Sequence, residues 1–124
     1  MDIATFTFNP FSENTYVLYD ETKDCIIVDP GCYTEGEQTQ LTDFIAQQAL
    51  VPVHLVNTHC HIDHVLGNKY VADKWGLNVK AHEGEKLMLD NQANVAKMYG
   101  IPYVPSPDIA QFISEKDKII FGNT

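Results

Sequence analysis

Apolar and polar positions change rhythm several times along the chain. Ile3, Thr5 and Thr7 alternate with Ala4, Phe6 and Phe8, the period of two that marks a strand, and Asn9-Pro10 breaks it. Glu13 to Tyr19 predicts a second strand and Asp20-Glu21-Thr22-Lys23-Asp24 a polar hairpin turn. Cys25-Ile26-Ile27-Val28 predicts a third strand, apolar on both faces and so central, ended by Asp29-Pro30-Gly31. From residue 37 to 50 the spacing becomes helical: Leu41, Phe44, Ile45 and Ala49 fall at i, i+3, i+4 and i+8, opposite a face of glutamine and acid. Pro52 to Asn57 predicts a fourth strand, Gly67 to Lys74 a short helix closed by Gly76, and Leu77 to Ala81 a fifth strand. Glu83 to Leu89 predicts helix, which Asn91 to Tyr99 continues or follows. Pro102, Pro105 and Pro107 enforce an irregular loop, and Lys118 to Phe121 predicts a last short strand before the turn Gly122-Asn123-Thr124.

Strands first, then strand–helix alternation, predict an α/β mixed sheet with helices on one face. No repeat or linker divides residues 1–124, and 124 residues with 44% hydrophobic content suffice for one modest core. No stretch approaches the roughly 18 apolar residues of a membrane span. No basic segment leads into an apolar run at the start, so no membrane partner is expected. The formal net charge is −9, and all eight basic residues are lysines. That balance argues against nucleic acid, which demands a basic stripe. Without arginine, a substrate carboxylate would have to be anchored by a lysine or from outside this chain. Cys25, Cys32 and Cys60 are an odd number without C-x-x-C spacing, which suits a reducing, cytoplasmic setting.

The chemistry concentrates in Thr58-His59-Cys60-His61-Ile62-Asp63-His64, four metal-ligand side chains directly after an apolar strand. While the backbone is extended, residues i and i+2 point the same way, so His59 and His61 can grip one cation. The turn that follows can swing Asp63 and His64 towards a second. Imidazole and carboxylate suit zinc, and also iron or manganese.

This T-H-x-H-x-D-H stretch resembles the metallo-β-lactamase-fold hydrolases, and most of all their hydroxyacylglutathione hydrolase (glyoxalase II) branch. Asn14-Thr15-Tyr16 opening a strand, Ile27-Val28-Asp29-Pro30-Gly31 and the closing Gly-rich strand fall in the family's order. The resemblance implies the N-terminal half of an αββα sandwich, one partial domain over residues 1–124. It implies a hydrolase of a small-molecule thioester such as an acylglutathione, acting through a metal-bound hydroxide. Two zinc ions per complete site would be held here by His59 and His61 on one side and Asp63 and His64 on the other, with Asp63 also orienting the hydroxide. The remaining ligands (a third His, a bridging Asp and a last His) belong to a second half as long again, so these 124 residues alone are expected to be inactive or nearly so. Other enzymes of the fold, a mononuclear-iron persulfide dioxygenase, a lactonase or a lactamase, stay open. So does a non-catalytic half-domain that self-associates. An uncovered sheet face, including part of Ile26-Ile27-Val28, would be apolar, and a second copy in a homodimer or the missing C-terminal half is expected to cover it.

Other positions have two readings each. Asp29 either fixes a ligand imidazole or is a turn residue, and Thr58 either braces the loop or is a β-branched strand residue. Cys60 should point away from the ligands and be buried and inert; His54 reads as a packed or edge histidine. His82, Lys80, Lys86, Tyr99 and Tyr103 could reach the cleft rim from loops, and Trp75, Leu87, Met88 and Leu89 read as core.

Overall fold

The computed structural model describes residues 1–114 and 116–124. Six strands form one sheet in sequence order: β1 (Asp2–Phe8), β2 (Glu13–Tyr19), β3 (Asp24–Val28), β4 (Val51–Val56), β5 (Val79–Ala81) and β6 (Ile109–Phe112). β1, β2 and β3 pair antiparallel, and β3 to β6 run parallel. The connections carry α1 (Glu35–Gln47), α2 (Ile62–Val65), α3 (Asn68–Trp75), α4 (Lys86–Asp90) and α5 (Gln92–Tyr99), with a turn of 3-10 helix at Glu83–Glu85.

Strand alternation builds the main core. Phe8, Val17, Cys25, Ile27, Leu55 and Val79 meet Leu41 and Ile45 of α1 and Val71 and Ala72 of α3. Phe6 stacks on Phe8 at 5.5 Å and meets Phe44 edge-on at 5.3 Å. Thr34 caps α1 with Glu37 in a capping box, which satisfies two backbone donors of the first turn. Ala49 does not join the apolar stripe as expected. The helix ends at Gln47, Ala49 adopts φ 56°, and Leu50 takes the buried place instead. Leu89 is buried as expected, whereas Leu87 is 83% exposed.

The opposite face departs from the sequence reading. Lys118 to Phe121 is not a strand, because Ile109–Phe112 takes the edge beside β5, with Val79 opposite Ile109 and Ala81 opposite Phe112. The later segment becomes a strap. Phe121 is 5% exposed and packs on Ile26 and Val56, beside Leu18, Val28 and Ile119. His54 Nε2 lies 2.9 Å from the Ile120 carbonyl, and the Asp20 carboxylate accepts from Asn123 N and Thr124 Oγ1, each at 2.8 Å. The face expected to be bare is therefore covered over its central strands. Ile3, opposite Leu18 on the edge pair, stays 58% exposed.

Two outcomes follow from the strap. Phe121→Ala should destabilise the chain by about 3 kcal/mol in denaturant unfolding, and exposed Ile120→Ala by under about 0.5 kcal/mol. Hydrogen bonds, first from the Thr22 hydroxyl and then from Thr124 and Asn123, hold the Asp20 carboxyl down at about 2. A depressed carboxyl stabilises the fold above its ordinary range and loses that contribution as pH falls through the folded value. The Asp20 carboxyl carbon should therefore titrate near 2 by NMR, and the acid loosening of the residue 123 amide should disappear in Asp20→Asn.

Candidate metal centre

The site sits where the sheet changes direction. β3 and β4 are parallel, so Asp29 and Asn57 leave their C-terminal ends side by side. β2 is antiparallel to β3, so its first residue, Glu13, reaches the same edge. Loops at the carboxyl ends of parallel strands are where α/β sheets gather ligand-binding groups.

Polar side chains hold the loop after β4. Asn57 Nδ2 donates to the His64 carbonyl (3.2 Å), and the Asn57 and Asn68 amides bond reciprocally (3.2 and 2.7 Å). Asn9 Nδ2 donates to the Asp63 carbonyl (2.9 Å) and to that of Gly31 (3.1 Å). Cys60 N donates to Glu85 Oε1 at 2.8 Å. Gly31 is required by crowding: a Cβ there would lie 2.3 Å from Glu13 Oε2 and 2.7 Å from the Asp63 carbonyl. α2, a single turn anchored by buried Ile62 and Val65, then turns Asp63 and His64 into the groove.

The structure brings all four sequence-predicted ligands around one groove of about 340 Å³ and the adjoining wall. The His59 ring lies 5.7 Å from His61 and 5.6 Å from His64, and His61 lies 6.1 Å from His64. Donor atoms of His61, Asp63 and His64 lie within 4.8 Å of one another. His59 stands outside that tightest set, its Nδ1 3.2 Å from Thr58 Oγ1.

Asp29 organises the set. It leaves β3 in the left-handed region at φ 52°, where Asp is tolerated better than most residues. Its Oδ1 accepts from Thr58 N at 2.7 Å, and its Oδ2 accepts from the Thr58 hydroxyl and lies 3.1 Å from His64 Nδ1. Of the two readings for Asp29 and Thr58, the structure shows the bracing ones. The Asp29 carboxylate beside Nδ1 raises the His64 pKa above its ordinary value, against the lowering effect of burial. His64 Nδ1 makes no well-aligned hydrogen bond among the described residues, and its Nε2 lies 3.6 Å from Asp63 Oδ2.

Glu13 is the residue sequence reasoning missed. It is 5% exposed, its Oε1 stands 3.6 Å from His64 Nδ1, and burial pushes its carboxyl up to about 9. Thr15 Oγ1 accepts from Gly31 N (3.0 Å) and has one proton, which the Asp29 carbonyl at 2.8 Å can only accept. The same hydroxyl lies 3.1 Å from Glu13 Oε2, so its one proton serves either Glu13 or the Asp29 carbonyl. A neutral Glu13 adds no negative charge beside Asp29 and Asp63.

Other positions settle into structural roles. Cys60 is fully buried against Val65, Ala81 and Leu89, as its direction required. His54 lies on the strap side, with Lys80 Nζ 2.6 Å from its Nδ1. His82 caps the 3-10 turn, its Nδ1 accepting from Gly84 N at 2.9 Å, and Lys86 pairs with Asp90. The Tyr103 hydroxyl accepts from Ser106 N at 3.0 Å, whereas Tyr99 borders a cleft beside His61 and Asp63. A separate cleft of about 420 Å³ between Tyr33, Tyr70 and Pro102 contains none of the donor residues.

A sequence profile described as the metallo-beta-lactamase superfamily matches residues 8–122. The chain belongs to this superfamily. It is 34% identical over 80 residues to the probable metallo-hydrolase YqgX of Bacillus subtilis, covering 64% of this chain and 36% of that protein. It is 28% identical over 109 residues to the hydroxyacylglutathione hydrolase GloC of Haemophilus influenzae, covering 84% and 48%. The chain thus spans less than half the length of these two relatives. Among solved structures, BLEG-1 B3 metallo-beta-lactamase superposes with TM-score 0.82 at 24% identity, covering 98% of this chain and 57% of that one. TTHA1623 in a di-iron-bound form gives 0.80 at 22%, covering 94% and 56%. The αββα half-sandwich expected from the sequence is therefore the fold, as a part of these neighbours.

Burial pushes the thiols of Cys25, Cys32 and Cys60 up to about 12. None should react with iodoacetamide at pH 8 until the chain unfolds, as mass spectrometry would show. Labelling of Cys60 in the folded protein would mean that the loop opens or that Cys60 faces the ligands.

Proposed function

We propose that the whole protein is a metal-dependent hydrolase of a thioester of the acylglutathione kind, and that this chain supplies one wall of its site. The observation that carries the reading is the convergence of His61, Asp63 and His64 donor atoms within 4.8 Å, with His59 beside them and Asp29 Oδ2 3.1 Å from His64 Nδ1. The donor set of imidazoles and carboxylate fits zinc or iron. His59 and His61 would hold one ion, and Asp63 and His64 a second. Such ions supply Lewis acidity at a carbonyl oxygen and lower the pKa of water.

The chain's own residues do the remaining work of this half. Asp63 Oδ2 orients a water molecule and holds its proton. Asp29, 3.1 Å from His64 Nδ1, orients that ring, and a Glu13 carboxyl pushed up to about 9 limits the negative charge crowded around it. A thioester suits such a site, because thiolate leaves with little help from a general acid. Ligands that close the coordination come from outside these 124 residues, from a C-terminal half or a second copy. Nothing among the described residues is a helix long and apolar enough to cross a membrane. Three buried free thiols suit a reducing compartment such as the cytoplasm.

A second reading, an iron-dependent enzyme of the same fold, is favoured by the di-iron form of TTHA1623. Elemental analysis of the purified protein, with its oligomeric mass, separates the two. One or two equivalents of zinc with turnover of S-lactoylglutathione support the hydrolase, and iron without that turnover supports the second reading. No metal, with stability unchanged by EDTA, would sink both in favour of a self-associating module. In the full-length protein, His59→Ala or His61→Ala should abolish turnover and lower metal content, and Asp29→Asn should weaken metal binding by about 10- to 100-fold. Cys60→Ala should leave both within about twofold.

A further inference from the structure

The turn between β1 and β2 holds Phe11 over a second cleft that shares a wall with the groove of donor atoms. Asn9 fixes this turn: its Oδ1 accepts from Phe11 N at 2.9 Å and its carbonyl from Ser12 N at 3.1 Å. The Phe11 ring meets Tyr99 of α5 edge-on, centroids 5.1 Å apart and planes at 72°. The cleft beside them measures about 290 Å³, with His61 and Asp63 on one side and Met88, Gln92 and Val95 on the other.

Two observations point to a ligand here. Phe11, Met88 and Tyr99 are 37%, 38% and 60% exposed, an apolar rim left open by the packing of the chain. Gln92, by contrast, is 1% exposed; its Nε2 donates to the Met88 carbonyl at 2.7 Å, and its Oε1 has no donor among the described residues. Buried amide oxygens are nearly always paired. Flipping the amide is no remedy, since it would set the oxygen against the Met88 carbonyl. The missing donor has to come from outside the protein, or the group stays unsatisfied.

We propose that this cleft is the subsite for the substrate group next to the reacting carbonyl, that it selects an apolar group bearing one hydrogen-bond donor, as in a secondary amide, and that Gln92 reads the donor. The proposal rests on the metal loop being the reactive centre. A carbonyl held at His61 and Asp63 places its neighbouring group against Phe11, Val95 and Tyr99. The donor reaches Oε1 past Met88, whose unbranched side chain is the easily moved part of the wall.

The test uses the metal-free chain and two probes of equal shape, N-methylbenzamide with its N–H and methyl benzoate without one. NMR of the Met88 methyl and the Gln92 side-chain amide reads both affinities. N-methylbenzamide should bind at least about tenfold tighter, the difference expected for one hydrogen bond to a buried acceptor. In Gln92→Met, which keeps an unbranched side chain of similar size, the two probes should bind within about twofold of each other. Equal affinities for the unmodified protein overturn the proposal, and that comparison needs no variant to fold. A preference that survives Gln92→Met, or shifts confined to other residues, overturns it as well. Neither probe contains a thioester and no metal is present, so a failure of the hydrolase reading would appear in the metal and turnover assays, separately from this result.

Discussion

The Asp29 carboxylate joins both ends of the candidate metal loop, and the rest of the site depends on that joint. It takes the Thr58 amide and hydroxyl at the start of the loop and faces His64 Nδ1 at its end. Asp29 is 2% exposed, and a charge buried so deeply is costly without donors. The loop supplies them. Each side of this arrangement is thus a condition of the other: the loop folds around the carboxylate, and the carboxylate stays buried because the loop is there. The left-handed backbone at Asp29 is the local cost of aiming one side chain at two partners.

Topology explains why these groups meet. An antiparallel β2 and a parallel β4 flank β3, so one edge collects the start of one strand and the ends of two others. Three carboxyl groups, Glu13, Asp29 and Asp63, then crowd around His64. Full ionisation of all three would place like charges a few ångströms apart in a region of low polarity. Burial, helped by the neighbouring carboxylates, pushes the Glu13 carboxyl up to about 9 and so eases the conflict, against the opposing pull of the Thr15 hydroxyl.

Local patterns were enough for the first three strands, the helical stripe of Leu41, Phe44 and Ile45, and the ligand cluster, because each is written in residues a few positions apart. What escaped depends on distant partners. Asn9 and Asp63 are separated by 54 positions, and nothing near Asn9 announces the bond. Glu13, Asn57, Asn68 and Glu85 read as ordinary polar residues until the sheet assembles around them. The last strand failed for a related reason. Lys118-Ile119-Ile120-Phe121 has the better strand composition, yet Ile109–Phe112 follows the proline loop to the open edge of β5 first. The later segment finds its burial through Phe121 on the other face instead.

Helices cover one sheet face and the strap covers the centre of the other, so the core is closed at positions remote from the metal loop. The loop itself is held by Asp29, Asn9, Glu85 and the Asn57–Asn68 pair, all of them protein groups. An ion bound as proposed would find its donors already gathered, and little of its binding free energy would go into ordering the chain. This separates the two parts of the family's design that the half-sandwich contains. The contacts that hold this loop are all between protein groups, whereas a metal site of the proposed kind would need ligands beyond the ones gathered here. A second half or a second copy would therefore act chiefly by adding ligands to a prepared wall, and only secondarily by holding that wall in shape.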